Sequence, residues 1–309
     1  MIQFEEVSKF GLSNVNLHIP SQMAVGLIGE SGAGKTTMLK LACGLLAPDV
    51  GRVHTLSQEP IKYRKKYGKQ LGVRFAGIPV LSSKDTIKEG YSLIGNMYHM
   101  SESEFKKEYD QLSEMLGFRK LENEQVKNLS LGQRARAELG TALLTHPKVL
   151  LLDEPTIGLD QEGKKALWNI LKERIQEGMT LLVSSHDMRE VTHLCDRVAF
   201  LHNGHIEYYG DLEEINRQYE NLSIMKMRII DKLPDLGDLP LHKYIIENDT
   251  LTLVYSSNFI TSSDVLEPIL KSSEIAELTI KKAELEDIVL QKRLRVESMG
   301  GNDGRIYRG

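Results

Sequence analysis

Cysteine is scarce: Cys43 and Cys195 are the only two in 309 residues. They stand far apart, each inside an apolar helical pattern, which argues against a disulfide or paired metal ligation and for buried small hydrophobes. Long apolar runs are missing too, since no segment reaches the roughly 18 to 20 residues that span a bilayer. The N-terminus shows no secretory leader pattern, because Glu5, Glu6 and Lys9 interrupt any apolar stretch. Neither sign of charge dominates. With 39 basic and 43 acidic residues the net charge is −4, which gives no overall case for nucleic acid or an anionic membrane as partner. The remainder is ordinary for a globular protein, 41% apolar and 27% charged. The length suits two domains, or one large domain with an appendage, around a sizeable core. The expectation is a soluble, cytoplasmic chain; if it serves a membrane process, other polypeptides cross the membrane.

What is present concentrates at Gly29-Glu30-Ser31-Gly32-Ala33-Gly34-Lys35-Thr36-Thr37, which fits the phosphate-loop pattern G-x-x-x-x-G-K-[ST]. An apolar run, Ala24 to Ile28, leads in as a buried strand. Met38, Leu39, Leu41, Ala42, Leu45 and Leu46 recur at helical spacing on the way out. Glycines let backbone N–H groups point at phosphate oxygens, and a helix N-terminus adds partial positive charge. Lys35 suits the β- and γ-phosphates of a nucleotide and the Thr36 hydroxyl suits Mg²⁺. Downstream, Val149 to Leu152 is a continuous apolar run ending in Asp153 and Glu154, the mark of a central parallel strand with acids at its C-terminal edge. Asp153 suits Mg²⁺ ligation and Glu154 suits polarising the water that attacks a γ-phosphate. Thr180 to Ser184, a further buried strand, delivers Ser185-His186-Asp187 to the same edge, with His186 placed for a γ-phosphate contact.

Around these motifs the chain reads as short strands over residues 2–20, an edge strand at Gly51-Arg52-Val53, and a buried strand at Leu71 to Phe75. Phe10 reads either as a ring stacked on adenine or as ordinary core, and taken alone as core. Lys62, Arg64, Lys65, Lys66 and Lys69 form a basic cluster with only Tyr63 and Tyr67 interleaved, which favours a solvated face over nucleic-acid binding. From Thr86 to Thr145 the pattern is helical; Ser101 and Glu104 form a capping box. Ala166, Leu167, Ile170 and Leu171 make the apolar stripe of a later helix. Val198 to Leu201, a turn at His202-Asn203-Gly204, and His205 to Tyr209 predict a hairpin.

Four motifs in one order, the phosphate loop, Leu129-Ser130-Leu131-Gly132-Gln133, Asp153-Glu154-Pro155 and His186, resemble the ATP-binding cassette of ABC transporters over roughly residues 1–215. The Leu-Ser-Leu-Gly-Gln form, with Leu131 where glycine is commoner, resembles the subgroup paired with ABC-2 type exporter permeases. The resemblance implies an α/β P-loop NTPase cassette with a mixed sheet core, an antiparallel N-terminal β part, and a helical signature subdomain at about 86–145. It implies that Gly29, Glu30, Ser31, Gly32, Ala33, Gly34, Lys35, Thr36 and Thr37 cradle ATP, with Mg²⁺ on Thr36 and Asp153. Ser130, Gly132 and Gln133 would contact the γ-phosphate bound to a second copy, Asp160 would lie at the interface of that homodimer, His186 would be the switch histidine, and Phe10 would stack on adenine. Partners would be membrane permease subunits, with the chain peripheral on the inner face of the membrane and no nucleic acid expected. One departure stands out. The family places a Gln just after the strand near Phe75, touching Mg²⁺ and facing the permease, but this chain reads Ala76-Gly77-Ile78-Pro79. Metal binding by Thr36 and Asp153 can survive the change; what the departure puts in question is the usual route from nucleotide state to the membrane subunit.

The last hundred residues change character. Alternation over Ile224–Ile230, a hairpin through Asn248-Asp249, a helix capped by Ser262 or Ser263 and reaching Leu270, a strand over Ile275–Ile280 and a final helix through Leu285, Ile288, Val289 and Leu290 predict a small α+β domain over 221–297. It lacks a catalytic cluster and reads as an accessory platform, followed by a disordered tail at 298–309. The function expected is ATP hydrolysis by a subunit of an ABC-2 type exporter. A slow or non-hydrolysing ATP-binding scaffold and a soluble ABC protein acting on ribosomes or DNA are the rivals.

Overall fold

A computed structural model of the chain describes residues 1–283 apart from Glu220 and Asp238. The predicted helix through Leu285–Leu290 and the tail at 298–309 lie outside the described residues. The chain divides into two compact units, one from Met1 to Leu212 and a second from Glu213 onward.

Alternating burial, interrupted by register shifts on either side of Val7, builds the first sheet. β1 (Ile2–Lys9) turns Ile2, Phe4 and Val7 inward, and β2 (Leu12–Ile19) turns Leu12, Val15, Leu17 and Ile19 inward. Next come β3 (Ala24–Ile28), α1 (Lys35–Ala42), β4 (Val50–Thr55), α2 (Pro60–Tyr67) and β5 (Leu71–Arg74). Three helices follow, α3 (Ile87–Met97), α4 (Glu102–Met115) and α5 (Leu131–Thr141). The unit then runs through β6 (Val149–Asp153), α6 (Gln161–Gln176), β7 (Thr180–Ser185), α7 (Met188–Leu194), β8 (Arg197–His202) and β9 (His205–Asp211).

The antiparallel sheet has the order β2-β1-β4, and the main sheet the order β5-β6-β7-β3-β8-β9. Every pairing in the main sheet is parallel except that of β8 with β9. Each residue of β3, β6 and β7 is buried, as strands covered on both faces require. This mixed sheet with an antiparallel N-terminal part is the architecture expected. β5 differs from expectation in lying at the sheet's edge, with Val73 and Arg74 only partly buried. The β8–β9 hairpin turns through Asn203 and Gly204, both at positive φ, where the sequence places it. Cys43 and Cys195 are both buried and neither is in a disulfide, and the Cys43 thiol donates to Lys40 O at 3.4 Å.

Each of the three inserted helices opens with a capping box: Thr86 with Glu89, Ser101 with Glu104, and Ser130 with Gln133. Between α4 and α6 lies an ion pair that helical periodicity does not announce. Arg174, 3% exposed, extends the buried stripe of α6 and its Nη2 donates to Glu108 Oε2 at 2.6 Å. Arg174 Nη1 also donates to Glu177 Oε2 at 3.1 Å, so Glu108→Ala removes the buried charge-assisted bond without leaving the guanidinium unpaired and is expected to cost about 1.5–3 kcal/mol. Urea unfolding measures this, and a change below about 1 kcal/mol contradicts it.

α8 (Leu212–Tyr219) starts on the last residue of the first unit, and the second unit continues with β10 (Leu222–Ile229), β11 (Leu241–Glu247), β12 (Thr250–Ser256), α9 (Ser262–Ser272) and β13 (Ile275–Lys282). An antiparallel sheet in the order β11-β12-β10-β13 packs Met225, Met227, Leu251 and Leu253 with Val265 and Ile269 of α9. The cap of α9 corrects the sequence reading. Thr261, not Ser262 or Ser263, accepts the N–H of Asp264, and Asp264 reaches back to Thr261 N at 3.1 Å.

Candidate active site

β3 ends against the neighbouring ends of β7 and β8, and the chain folds back as a loop into α1. Two glycines explain the tightness of that loop. A Cβ at Gly29 would sit 2.2 Å from the Leu201 carbonyl oxygen, and Gly34 takes φ +111°, directly before the helix. The first N–H groups of α1 are thereby left facing outward, without a side-chain cap. Lys35, 7% exposed, folds across the loop: its Nζ donates to Gly29 O at 2.6 Å and Glu30 O at 3.1 Å, and lies 3.7 Å from Glu154 Oε1.

The register that pairs Asp153 with Ser184 brings the acids to the same edge. Asp153 accepts from Thr36 Oγ1 at 2.8 Å and from Ser184 Oγ at 2.6 Å. Glu154 sits in the left-handed region at φ +45°, where a non-glycine residue pays about 1–2 kcal/mol. Its N–H is held by Ser184 O at 3.2 Å and Ser184 Oγ at 3.1 Å, and its Oε2 is 2.6 Å from His186 Nδ1. Behind this edge the buried Glu190 accepts from Thr156 Oγ1 at 2.7 Å, Ser185 Oγ at 2.9 Å and Lys164 Nζ at 2.9 Å, tying the turn after Glu154 to the strand end before His186. An open cleft of about 710 Å³ lies over these groups. Ser31, Gly32, Gly34, Lys35, Thr36, Thr37, Asp153, Glu154 and His186 all line it.

The remaining sequence candidates lie elsewhere. Ser130 caps α5, with its Oγ accepting Gln133 N at 3.2 Å, and Leu131 is 75% exposed. Gly132 is close to the Gly158 carbonyl oxygen. Asp160 caps α6 through Gly163 N at 2.8 Å and stands 3.8 Å from Arg136 Nη2. Ser130, Gly132, Gln133 and Asp160 thus form a second group at adjoining helix starts, and none of the four lines the cleft. Phe10 is 76% exposed with φ +52°, which overturns its reading as core. It belongs to the β1–β2 turn, where Leu12 packs at the position a Gly34 side chain would need.

Sequence reasoning missed Ser184, Lys40 and Phe75. Ser184 is a small polar residue closing an apolar strand, a weak signal that gains meaning only from the Asp153 pairing. Lys40 follows Thr36 by one helical turn and lines the cleft beside Phe75, with its Nζ 5.9 Å from the ring centroid.

A parallel sheet whose strand ends carry a glycine loop, a buried lysine and paired carboxylates defines a P-loop nucleotide-binding cassette. The comparisons agree. The family model described as "ABC transporter" matches residues 12–157. The chain is 35% identical over 202 residues to the ABC transporter ATP-binding protein NatA of Bacillus subtilis, covering 65% of this chain and 82% of that one. It is 34% identical over 214 residues to Nod factor export ATP-binding protein I of Burkholderia lata, covering 66% and 68%. It is 33% identical over 225 residues to the methionine import ATP-binding protein MetN of Clostridioides difficile, covering 70% of each. Among solved structures, a dimeric post-hydrolysis state of the ATP-binding cassette MJ0796 bound to ADP and Pi aligns with TM-score 0.60 and 28% identity, covering 69% of this chain and 99% of that one. The chain belongs to the ABC transporter ATP-binding family and is an ATPase.

Proposed function

We propose that the chain is the ATP-hydrolysing subunit of an ABC-2 type export system. Two copies would sandwich two ATP molecules at the cytoplasmic face and drive separate membrane permease subunits. The observation that carries the dimer is the separation of the site into two groups. The Ser130 start of α5 presents N–H groups and a hydroxyl suited to an anion, yet lies outside the cleft that holds Lys35 and Glu154. A second copy supplies the missing half. The dimeric arrangement of MJ0796 supports the same reading.

Within the cleft, the loop N–H groups and Lys35 bind the phosphates, with Lys35 exchanging loop carbonyls for phosphate oxygens. Glu154 takes a proton from water as the water oxygen attacks the γ-phosphorus and the bond to the β-phosphate oxygen breaks. His186, at hydrogen-bond distance, orients that carboxylate. Thr36 and Asp153, a hydroxyl and a carboxylate oxygen 2.8 Å apart, are the hard donors that Mg²⁺ accepts alongside water and phosphate. When bound, Mg²⁺ neutralises charge between the β- and γ-phosphates. Phe10 offers an exposed ring for adenine beside the loop.

Among the relatives named above, one carries export in its name and another import. The export assignment therefore leans on Leu131 in the signature and on the second unit. A permease partner is favoured by exposed apolar side chains, Ile78 at the cleft and Val80 in the same loop after β5, with Leu93 and Met97 on one face of α3. Among the described residues no helix is long and apolar enough to cross a membrane. Affinity purification of the chain from detergent-solubilised membranes is expected to bring down a multi-span protein in stoichiometric amount. Recovery of the chain alone, or with ribosomes or DNA, would refute the transport assignment.

A further inference from the structure

The loop that leaves β5 joins the cleft to the inserted helices, and the two ends of this connection differ. At the cleft end stand Phe75, Ala76 and Ile78, none with a polar side-chain group for a nucleotide or metal. At the helical end the loop backbone is gripped. Glu138 of α5, 4% exposed, accepts Val80 N at 2.7 Å and Leu81 N at 3.3 Å. The Leu81 side chain is buried against Gly90 of α3, where a Cβ would meet Leu81 Cδ2 at 2.7 Å.

Close packing continues into the sheet. At Gly72 of β5 a Cβ would stand 2.1 Å from the Ala142 carbonyl oxygen, so the end of α5 rests directly on β5. One helical turn earlier on α5 is Glu138, and two residues later on β5 is Arg74. Burial lowers the affinity of the Arg74 guanidinium for its proton, while the Glu138 and Asp153 carboxylates oppose that shift. The Arg74 Nε is buried without a hydrogen-bond partner. Arg74, next to the loop on β5, thus feels the charge of both the carboxylate at the cleft and the one that grips the loop.

A buried carboxylate that accepts two backbone N–H groups from a separate segment costs desolvation, and holds that segment by charge-assisted bonds. The same helix starts at Ser130. We propose that Glu138 is a positioning residue that makes residues 75–81 and the Ser130-capped helix move as one body, giving a chain with Ala76 in place of an amide its own link between nucleotide state and the helical layer. The proposal rests on the ATPase reading of the cleft.

The test compares the full chain with Glu138→Ala, which removes both acceptors, and Glu138→Gln, which keeps one oxygen for Val80 N–H. Glu138→Ala is expected to lower kcat about tenfold while KM for ATP stays within about twofold, the pattern of an interaction that matters after binding. Glu138→Gln should recover part of kcat. Amide exchange supplies a readout free of turnover. With ADP, at a concentration where the chain runs as a single copy, the parent should change exchange both at residues 76–81 and at residues 131–135. In Glu138→Ala only the first change should remain. Ligand-dependent exchange at 131–135 that persists in Glu138→Ala overturns the proposal, as does an unchanged kcat in both variants. If Glu138→Ala does not fold, Glu138→Gln decides on the same readouts, and parent-like kcat with parent-like exchange at 131–135 overturns the proposal. A parent chain that binds ADP but never hydrolyses ATP counts against the ATPase reading instead, and the exchange comparison still decides the link.

Discussion

Glu154→Gln is expected to slow ATP turnover of the purified chain by about 10²- to 10⁴-fold, the contribution of a positioned general base. The amide keeps the size of the carboxylate but cannot take the water proton. Binding should survive, because Lys35 and the loop backbone, not Glu154, meet the phosphates in the proposed site. The variant should therefore accumulate the ATP-bound pair of copies that the parent dismantles by hydrolysis. Steady-state turnover, with light scattering in the presence and absence of Mg-ATP, reads both effects. Parent-like turnover removes Glu154 from the role of base. A dead variant that stays a single copy in ATP keeps Glu154 and counts against the two-copy site.

Lys35→Ala is expected to weaken ATP binding by about 30-fold or more, on the scale of 2–5 kcal/mol for truncating one partner of a buried, hydrogen-bonded charge contact. The ammonium is 7% exposed and fixed by two loop carbonyls. It is a preplaced cation whose loss leaves the loop carbonyls and Glu154 Oε1 facing the incoming phosphates. Titration calorimetry with ATP in the absence of turnover measures the change, and circular dichroism confirms that the fold persists. An affinity within about threefold of the parent would place the phosphates elsewhere in the cleft.

What could be read in the sequence was whatever depends on spacing along the chain. The phosphate loop, the acid pair after an apolar run and the capping box at Ser101 are local patterns, and the structure puts each on the expected loop, strand end or helix start. The cap of α9 slipped by a residue because Thr261, Ser262 and Ser263 can all cap. Asp264 settles it, since only Thr261 lies three residues before it. Features made by residues distant in sequence were not legible. Ser184 is an unremarked strand residue until parallel register sets it beside Asp153, and nothing in the local pattern marks Arg174 until Glu108, 66 residues away, meets it. Phe10 shows a third kind of gap. Hydrophobicity alone favours core, but the residue lies in a turn at positive φ with its ring exposed.

The left-handed backbone at Glu154 has a consequence for how this chain tolerates change. Glycine occupies that conformation without penalty, so the position would be easier to fold without the side chain the chemistry is assigned to. Laboratory evolution for heat resistance alone, with no demand for hydrolysis, would accordingly drift toward glycine or asparagine at 154 and return robust, inert proteins. A glutamate in that unfavourable conformation is what the proposed base would require, at a cost to ruggedness.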